Sequence, residues 1–251
     1  MTRGDRSPER PDPLVDRDLE MRLLRDQVQS VAQGGYGRAA LLVGESGVGK
    51  SRLATEAAQI ARGLGVQVIV AHCVGRGAEP LLPLKEGLSV HLGRSPERIR
   101  RMLLGASAGL IESLPFVGRF LGAVGKGMRD HGNFESAALN GVYEELARVI
   151  VGLSEKHGLC LVVEDLHAAD QDTLYFLHYL LKKVRTRRIV VVVTVQEEQL
   201  GEVPALADLL AQWTAAGDAM VTVLPLERAH VGQYAQMALA TGEAVPPTTP
   251  R

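Results

Sequence analysis

Ala39-Ala40-Leu41-Leu42-Val43-Gly44-Glu45-Ser46-Gly47-Val48-Gly49-Lys50-Ser51-Arg52 decides the fold of this 251-residue chain. The apolar run reads as a buried strand, glycines interrupt it, and a helical pattern starts at Lys50. The spacing is the full G-x-x-x-x-G-K-[ST] phosphate loop in its strand–loop–helix setting. Gly44, Gly47 and Gly49 let the backbone curl so that successive N–H groups converge on one point. The positive end of the following helix aims at the same point. Lys50 can reach β- and γ-phosphates there, and the Ser51 hydroxyl can sit on Mg²⁺. A Gly-rich turn that merely caps a helix would match this pattern in on the order of one chain in a hundred of this length.

Outward from the loop, further apolar runs follow at Val66–Ala71, Leu159–Val163, Ile189–Thr194 and Met220–Leu224. They are continuous rather than alternating, which marks parallel strands covered on both faces. Helical patterns separate them, at Asp16–Gln33, Lys50–Leu64, Leu84–Gly93, Pro96–Leu104, Leu139–His157, Thr173–Val184, Ala205–Ala215 and His230–Ala240. Such alternation predicts a doubly wound parallel sheet with crossover helices and a ligand beyond the C-terminal strand ends. The interval from about 75 to 140 exceeds a simple crossover and is expected to be an inserted helical layer or a mobile segment. Residues 1–13 and the stretch after Gly242 are polar and Pro-rich, and are expected to be disordered.

Leu159-Cys160-Leu161-Val162-Val163-Glu164-Asp165-Leu166-His167-Ala168-Ala169-Asp170 is an apolar strand ending in two carboxylates. A phosphate loop needs an acidic partner at a neighbouring strand tip, to hold the Mg²⁺ shell or to orient water. Glu164 and Asp165 are placed for this. Asp170, followed by Asp172-Thr173, reads as a helix cap. His167 reads equally as a γ-phosphate contact and as a helix-start residue bonded to backbone.

Bulk composition excludes other classes. A net charge of -1 gives no global positive field for nucleic acid or anionic lipid. The two cysteines, Cys73 and Cys160, sit in strand-like runs and read as buried thiols. No signal-peptide core opens the chain, and the most apolar stretch, Leu103–Val124, carries Glu112, Pro115 and Arg119. A cytoplasmic protein without membrane contact is expected. Lys182, Lys183, Arg185, Arg187 and Arg188 form a basic cluster that reads as a solvated helix end, and Trp213 reads as core.

Residues Leu14 to Leu226 resemble the ATPase domain of the signal-transducing (STAND) branch of AAA+ proteins. That branch drives LuxR-type regulators and accompanies some adenylate cyclases. Leu14-Val15-Asp16-Arg17-Asp18-Leu19-Glu20 is similar to its V-G-R-[DE]-x-E box near the adenine. Gly44–Arg52 resembles its phosphate loop, with Glu45 and Arg52 included. Glu79-Pro80-Leu81-Leu82-Pro83-Leu84 resembles its Pro-Tyr segment, and Glu164–Asp170 its [DE]-D-L-H-W-A-D run. Leu224-Pro225-Leu226 resembles the entry to its lid. Three departures stand out: Asp16 replaces Gly, Ala168 replaces Trp, and Gln196 ends the fourth strand where the family has Arg.

The resemblance implies a three-layer α/β P-loop domain over 14–226 with strand order 5-1-4-3-2. It implies ATP and Mg²⁺ as cofactors, held by Val15, Arg17, Gly44, Glu45, Ser46, Gly47, Val48, Gly49, Lys50, Ser51 and Arg52. Ser51 and Glu164 would serve the metal, Asp165 would position water, and Gln196 would touch the γ-phosphate without supplying charge. Residues 227–251 would begin a truncated lid, with effector modules missing. The expected function is a Mg-ATP regulatory switch with slow or partner-dependent hydrolysis. It would have a protein partner, no direct nucleic-acid binding and a possible nucleotide-dependent oligomer. A non-hydrolysing interaction module and a small-molecule or nucleotide kinase remain the alternatives.

Overall fold

The structure is a computed structural model, and it describes residues 14–75, 80–94, 134–227 and 230–232. Helix α1 (Asp18–Ala32) leads into β1 (Ala39–Gly44), α2 (Lys50–Gly63), β2 (Gln67–His72) and α3 (Leu82–Leu92). Then come α4 (Phe134–His157), β3 (Leu159–Glu164), α5 (Gln171–Val184), β4 (Ile189–Gln196), α6 (Pro204–Ala215) and β5 (Ala219–Thr222). Short 3-10 turns at Leu166–Ala168 and Glu197–Glu202 follow β3 and β4. The expected helices at 96–104 and most of 230–240, the Gly-rich stretch and both expected tails lie outside the described residues.

All five strands pair in parallel in the order β2-β3-β4-β1-β5. This is the expected 5-1-4-3-2 sheet read from its other edge. The two faces split by residue parity, as a period of two requires. Ala39, Leu41, Leu161, Val163, Val191 and Val193 face one apolar cluster with α3, α4, α5 and α6. Ala40, Leu42, Cys160, Val162, Val190 and Val192 face the other, with α1 and α2. The result is three layers. In α2 the sheet-facing positions are Leu53, Ala54, Ala57, Ala58 and Ala61. Their small side chains let the helix that starts at the phosphate loop lie close against the strands.

One expectation is corrected. β1, β3 and all of β4 but its tip are buried throughout, but β2 and β5 are only half-buried. They are the sheet edges, so each lacks one neighbour. On β2 the open side is partly covered by α3, whose His91 Nδ1 lies 3.0 Å from Val68 O.

Polar ties explain several residues of the basic cluster. Arg185 donates to Asp218 Oδ2 at 2.7 Å and to Ala216 O at 3.0 Å. Arg188 donates to Val31 O and Ala32 O, capping the carbonyl end of α1. Trp213 is buried in the core. No helix among the described residues is long and apolar enough to cross a membrane.

Candidate functional site

The phosphate loop connects β1 to α2 at the C-terminal edge of the sheet. Gly47 and Gly49 have φ of +81° and +100°, and a Cβ added at either would meet nothing within 4 Å. Glycine is needed there for conformation rather than for space. At Gly44 the reason is space: a Cβ would meet Val223 O at 2.3 Å. That carbonyl belongs to the residue whose N–H bonds Val43 O at 2.7 Å, so β5's exit strand packs on the loop's first turn.

Lys50 is buried, and its Nζ donates to Gly44 O at 2.9 Å and Glu45 O at 2.6 Å. The ammonium therefore holds the loop closed around itself. Burial lowers its pKa, opposed by the charges of Glu198 and Asp165. Ser51 opens α2 immediately behind it, and Arg52 pairs with Glu56 at 2.6 Å one turn along the helix.

Arg17 anchors the loop from behind. Its buried guanidinium donates to Val48 O at 3.1 Å and Leu224 O at 2.6 Å, and sits 3.4 Å from Glu20 Oε1. The N-terminal box thus reaches both the loop and the chain leaving β5. Val15 is half-buried beside it. Asp16 takes φ +56°, the left-handed region. That explains why the resembled family has glycine there, and why Asp, which tolerates this region, can replace it.

The acidic tip lies one strand away, across β4. Gln196 of β4 is in register with Gly44 of β1. Glu164 ends β3 in register with His72 of β2, and its Oε2 lies 3.8 Å from His72 Nδ1. Asp165, with φ +55°, turns the chain out of the strand, and its N–H donates to Thr194 Oγ1 at 2.9 Å. The two carboxylates are therefore not equivalent: Asp165 is the one whose charge acts on Lys50, and Glu164 stands toward β2. His167 is buried and its Nδ1 accepts the Gln196 N–H at 3.3 Å, binding the turn after β3 to the end of β4. Asp170 caps α5 as expected, accepting from Thr173 N–H at 2.9 Å and from the Thr173 hydroxyl at 2.6 Å.

One residue escaped the sequence reading. Glu198, in the turn after β4, accepts the Ser46 N–H of the phosphate loop through Oε1 at 3.2 Å. Nothing in Gln196-Glu197-Glu198-Gln199 distinguishes the second acid from the first, so local pattern carries no signal for it.

These features fit a nucleotide with Mg²⁺. The loop already accommodates an anionic oxygen at Ser46, and the charges of Glu198 and Asp165 act on Lys50. Among the described residues no group of three His, Cys, Asp or Glu forms a metal cage. Mg²⁺ on a nucleotide needs none, since it keeps waters and phosphate oxygens and takes one or two protein ligands.

Residues 13–193 match the family described as AAA ATPase domain. No curated protein matches the chain. Among solved structures, Cdc6p from Pyrobaculum aerophilum is similar with a TM-score of 0.55 at 13% identity, over 93% of this chain and 52% of that one. The Aeropyrum pernix ORC2 protein in its ADP form gives 0.53 at 14%, over 94% of this chain and 55% of that one. The chain thus spans about half the length of either, and at these identities the likeness concerns the fold.

Proposed function

We propose that this chain, which belongs to the AAA ATPase domain family, works as a Mg-ATP switch with slow or partner-dependent hydrolysis. The observation that carries the reading is the phosphate loop with Lys50 folded onto it, one strand away from Asp165 and Glu164. Bound nucleotide and Mg²⁺ would supply a triphosphate and a Lewis acid. Lys50 would exchange its loop carbonyls for β- and γ-phosphate oxygens. Ser51 and Glu164 would complete the metal shell, and Asp165 would orient water. Because Asp165 acts on Lys50 while Glu164 faces His72, the reverse division of the two acids is a second reading, separated by the variants below.

Slow turnover rests on Gln196. Its amide can hydrogen-bond a phosphate oxygen but cannot offset developing charge as an arginine does. A charge-stabilising arginine is worth about 10³–10⁵ in kcat where enzymes of this chemistry use one. The role in signalling or transcription, with a protein partner or effector module, comes from the resemblance of Leu14–Glu20 and Glu164–Asp170 to the STAND branch. A nucleotide-dependent oligomer would suit that role.

Steady-state phosphate release from the purified chain tests this. Turnover far below the usual range of about 1–10³ per second is expected. Turnover near about ten per second without a partner would contradict it. No release at all, with nucleotide bound, would favour the non-hydrolysing module. Glu164→Gln and Asp165→Asn decide the division of roles: the metal ligand's loss raises the Mg²⁺ needed for binding, and the water-orienting residue's loss lowers turnover alone.

A further inference from the structure

The phosphate loop carries its own anion. Ser46 donates its N–H to Glu198 Oε1 at 3.2 Å, across 152 positions of sequence. Glu198 lies two residues beyond Gln196, which is in register with Gly44. Its carboxyl is held below the usual range by its own N–H and by that of Ser46, with smaller help from Lys50 and His167. At Lys50 the charge of Glu198 is the largest favourable one, ahead of Asp165. Lys50 meanwhile gives its hydrogen bonds to carbonyls. Glu198 thus occupies a loop N–H that a phosphate oxygen would otherwise use.

Position within the loop decides which phosphate is affected. The N–H groups from Gly47 to Ser51 run into the N-terminus of α2, and a diphosphate held there would use those. Ser46 precedes them in the loop and faces the turn after β4 through its bond to Glu198. A third phosphate, which Lys50 would also reach, would extend toward that end of the loop. It would then meet the Glu198 carboxylate on the Ser46 N–H, while a diphosphate would stop short. Bringing two anions to one N–H disfavours the larger nucleotide by repulsion and by the loss of an existing bond.

We propose that Glu198 is a specificity-determining residue of the nucleotide site: its carboxylate, seated on the Ser46 N–H, biases the loop toward nucleoside diphosphate and must withdraw for triphosphate to bind. The inference rests on the reading of the loop as a nucleotide site. Withdrawal is sterically open, because no residue of the Glu197–Glu202 turn is buried.

The test is a pair of dissociation constants, for Mg-ADP and Mg-ATP, by competition with a fluorescent adenine nucleotide. They are measured on the wild-type chain and on Glu198→Gln, Glu198→Ala, Glu197→Gln and Lys50→Ala. Unliganded melts establish that each variant folds. Glu198→Gln removes only the charge, and Glu198→Ala removes the acceptor too. Both are expected to tighten ATP relative to ADP by about three- to tenfold, a range set by the screening of an exposed charge. Glu197→Gln should leave the ratio where it is. An unchanged ratio in both Glu198 variants, equal tightening of both nucleotides, or weaker ATP binding would overturn the proposal. The nucleotide reading fails separately, and takes this proposal with it, if the wild-type chain binds neither nucleotide or Lys50→Ala binds as tightly as wild type.

Discussion

The backbone N–H of Asp165 donates to the Thr194 hydroxyl at 2.9 Å, so the acidic turn after β3 is tied to the neighbouring strand. Asp165 has already left β3 and has φ +55°, so its N–H has no strand partner in the ladder. Thr194 is wholly buried in a β4 otherwise made of Val and Ile up to Val195. Its one hydroxyl is what the acidic turn requires.

Thr194→Val keeps the volume and removes that acceptor. The loss of one partly buried hydrogen bond should cost about 1–3 kcal/mol. Urea unfolding should show a lower midpoint at unchanged slope. Stability equal to wild type would mean that the turn is held by other contacts.

Asp170→Ala should cost more. Its carboxylate accepts from Thr173 twice and also takes the Leu81 N–H at 3.2 Å. Leu81 has φ +60°, an unfavourable conformation for leucine that this bond helps hold. Loss of an N-cap alone costs about 0.5–2 kcal/mol; with the second tie, a loss of about 2 kcal/mol or more is expected in thermal or urea unfolding. Asp170→Asn, which keeps an acceptor oxygen, should recover most of it.

Asp16 tests the reading of left-handed backbone. Its φ of +56° suits glycine and is tolerated by Asp. Asp16→Gly should shift stability by less than about 1 kcal/mol, whereas Asp16→Val should lower it by about 1–2 kcal/mol through backbone strain. A melt in which Val is as stable as Gly would show that the turn relaxes.

Alkaline pH should destabilise the fold. Burial pushes the Cys73 and Cys160 thiols up to about 12. Burial also raises Tyr143, whose hydroxyl donates to Asp172 at 2.8 Å. Each folded-state pKa lies above its unfolded value. These groups therefore contribute fully below the unfolded pKa, and the contribution is lost as pH rises toward the folded one. Stability should fall from about pH 8.5 upward. Cys73→Ser and Cys160→Ala together should flatten that decline. In native protein at pH 8 both thiols should resist a disulfide reagent that labels them at once in urea.

What was legible in the sequence follows from how local each signal is. The loop from Gly44 to Ser51 and the strand ending in Glu164-Asp165 are contiguous motifs, and both stand where expected. The burial of β1, β3 and β4 on both faces was legible as unbroken apolar runs. β2 and β5 carry similar runs and differ only in lacking a neighbour, which a run of residues cannot express. Asp16 looked like a departure from a glycine box until its φ gave the reason. The clamp from Arg17 to Val48 and Leu224, and the contact from Glu198 to Ser46, join positions far apart in the chain. Such contacts are fixed by topology rather than by neighbours, so residue pattern alone does not reveal them.

The central claim is that the loop around Lys50 binds Mg-ATP, and a thermal melt with and without millimolar Mg-ATP tests it most directly. Ligand at about a hundred times its Kd should add roughly 2.7 kcal/mol to unfolding, and Lys50→Ala should abolish the shift. A wild-type melt that Mg-ATP leaves unmoved, or a Lys50→Ala variant that shifts as far as wild type, would contradict the account.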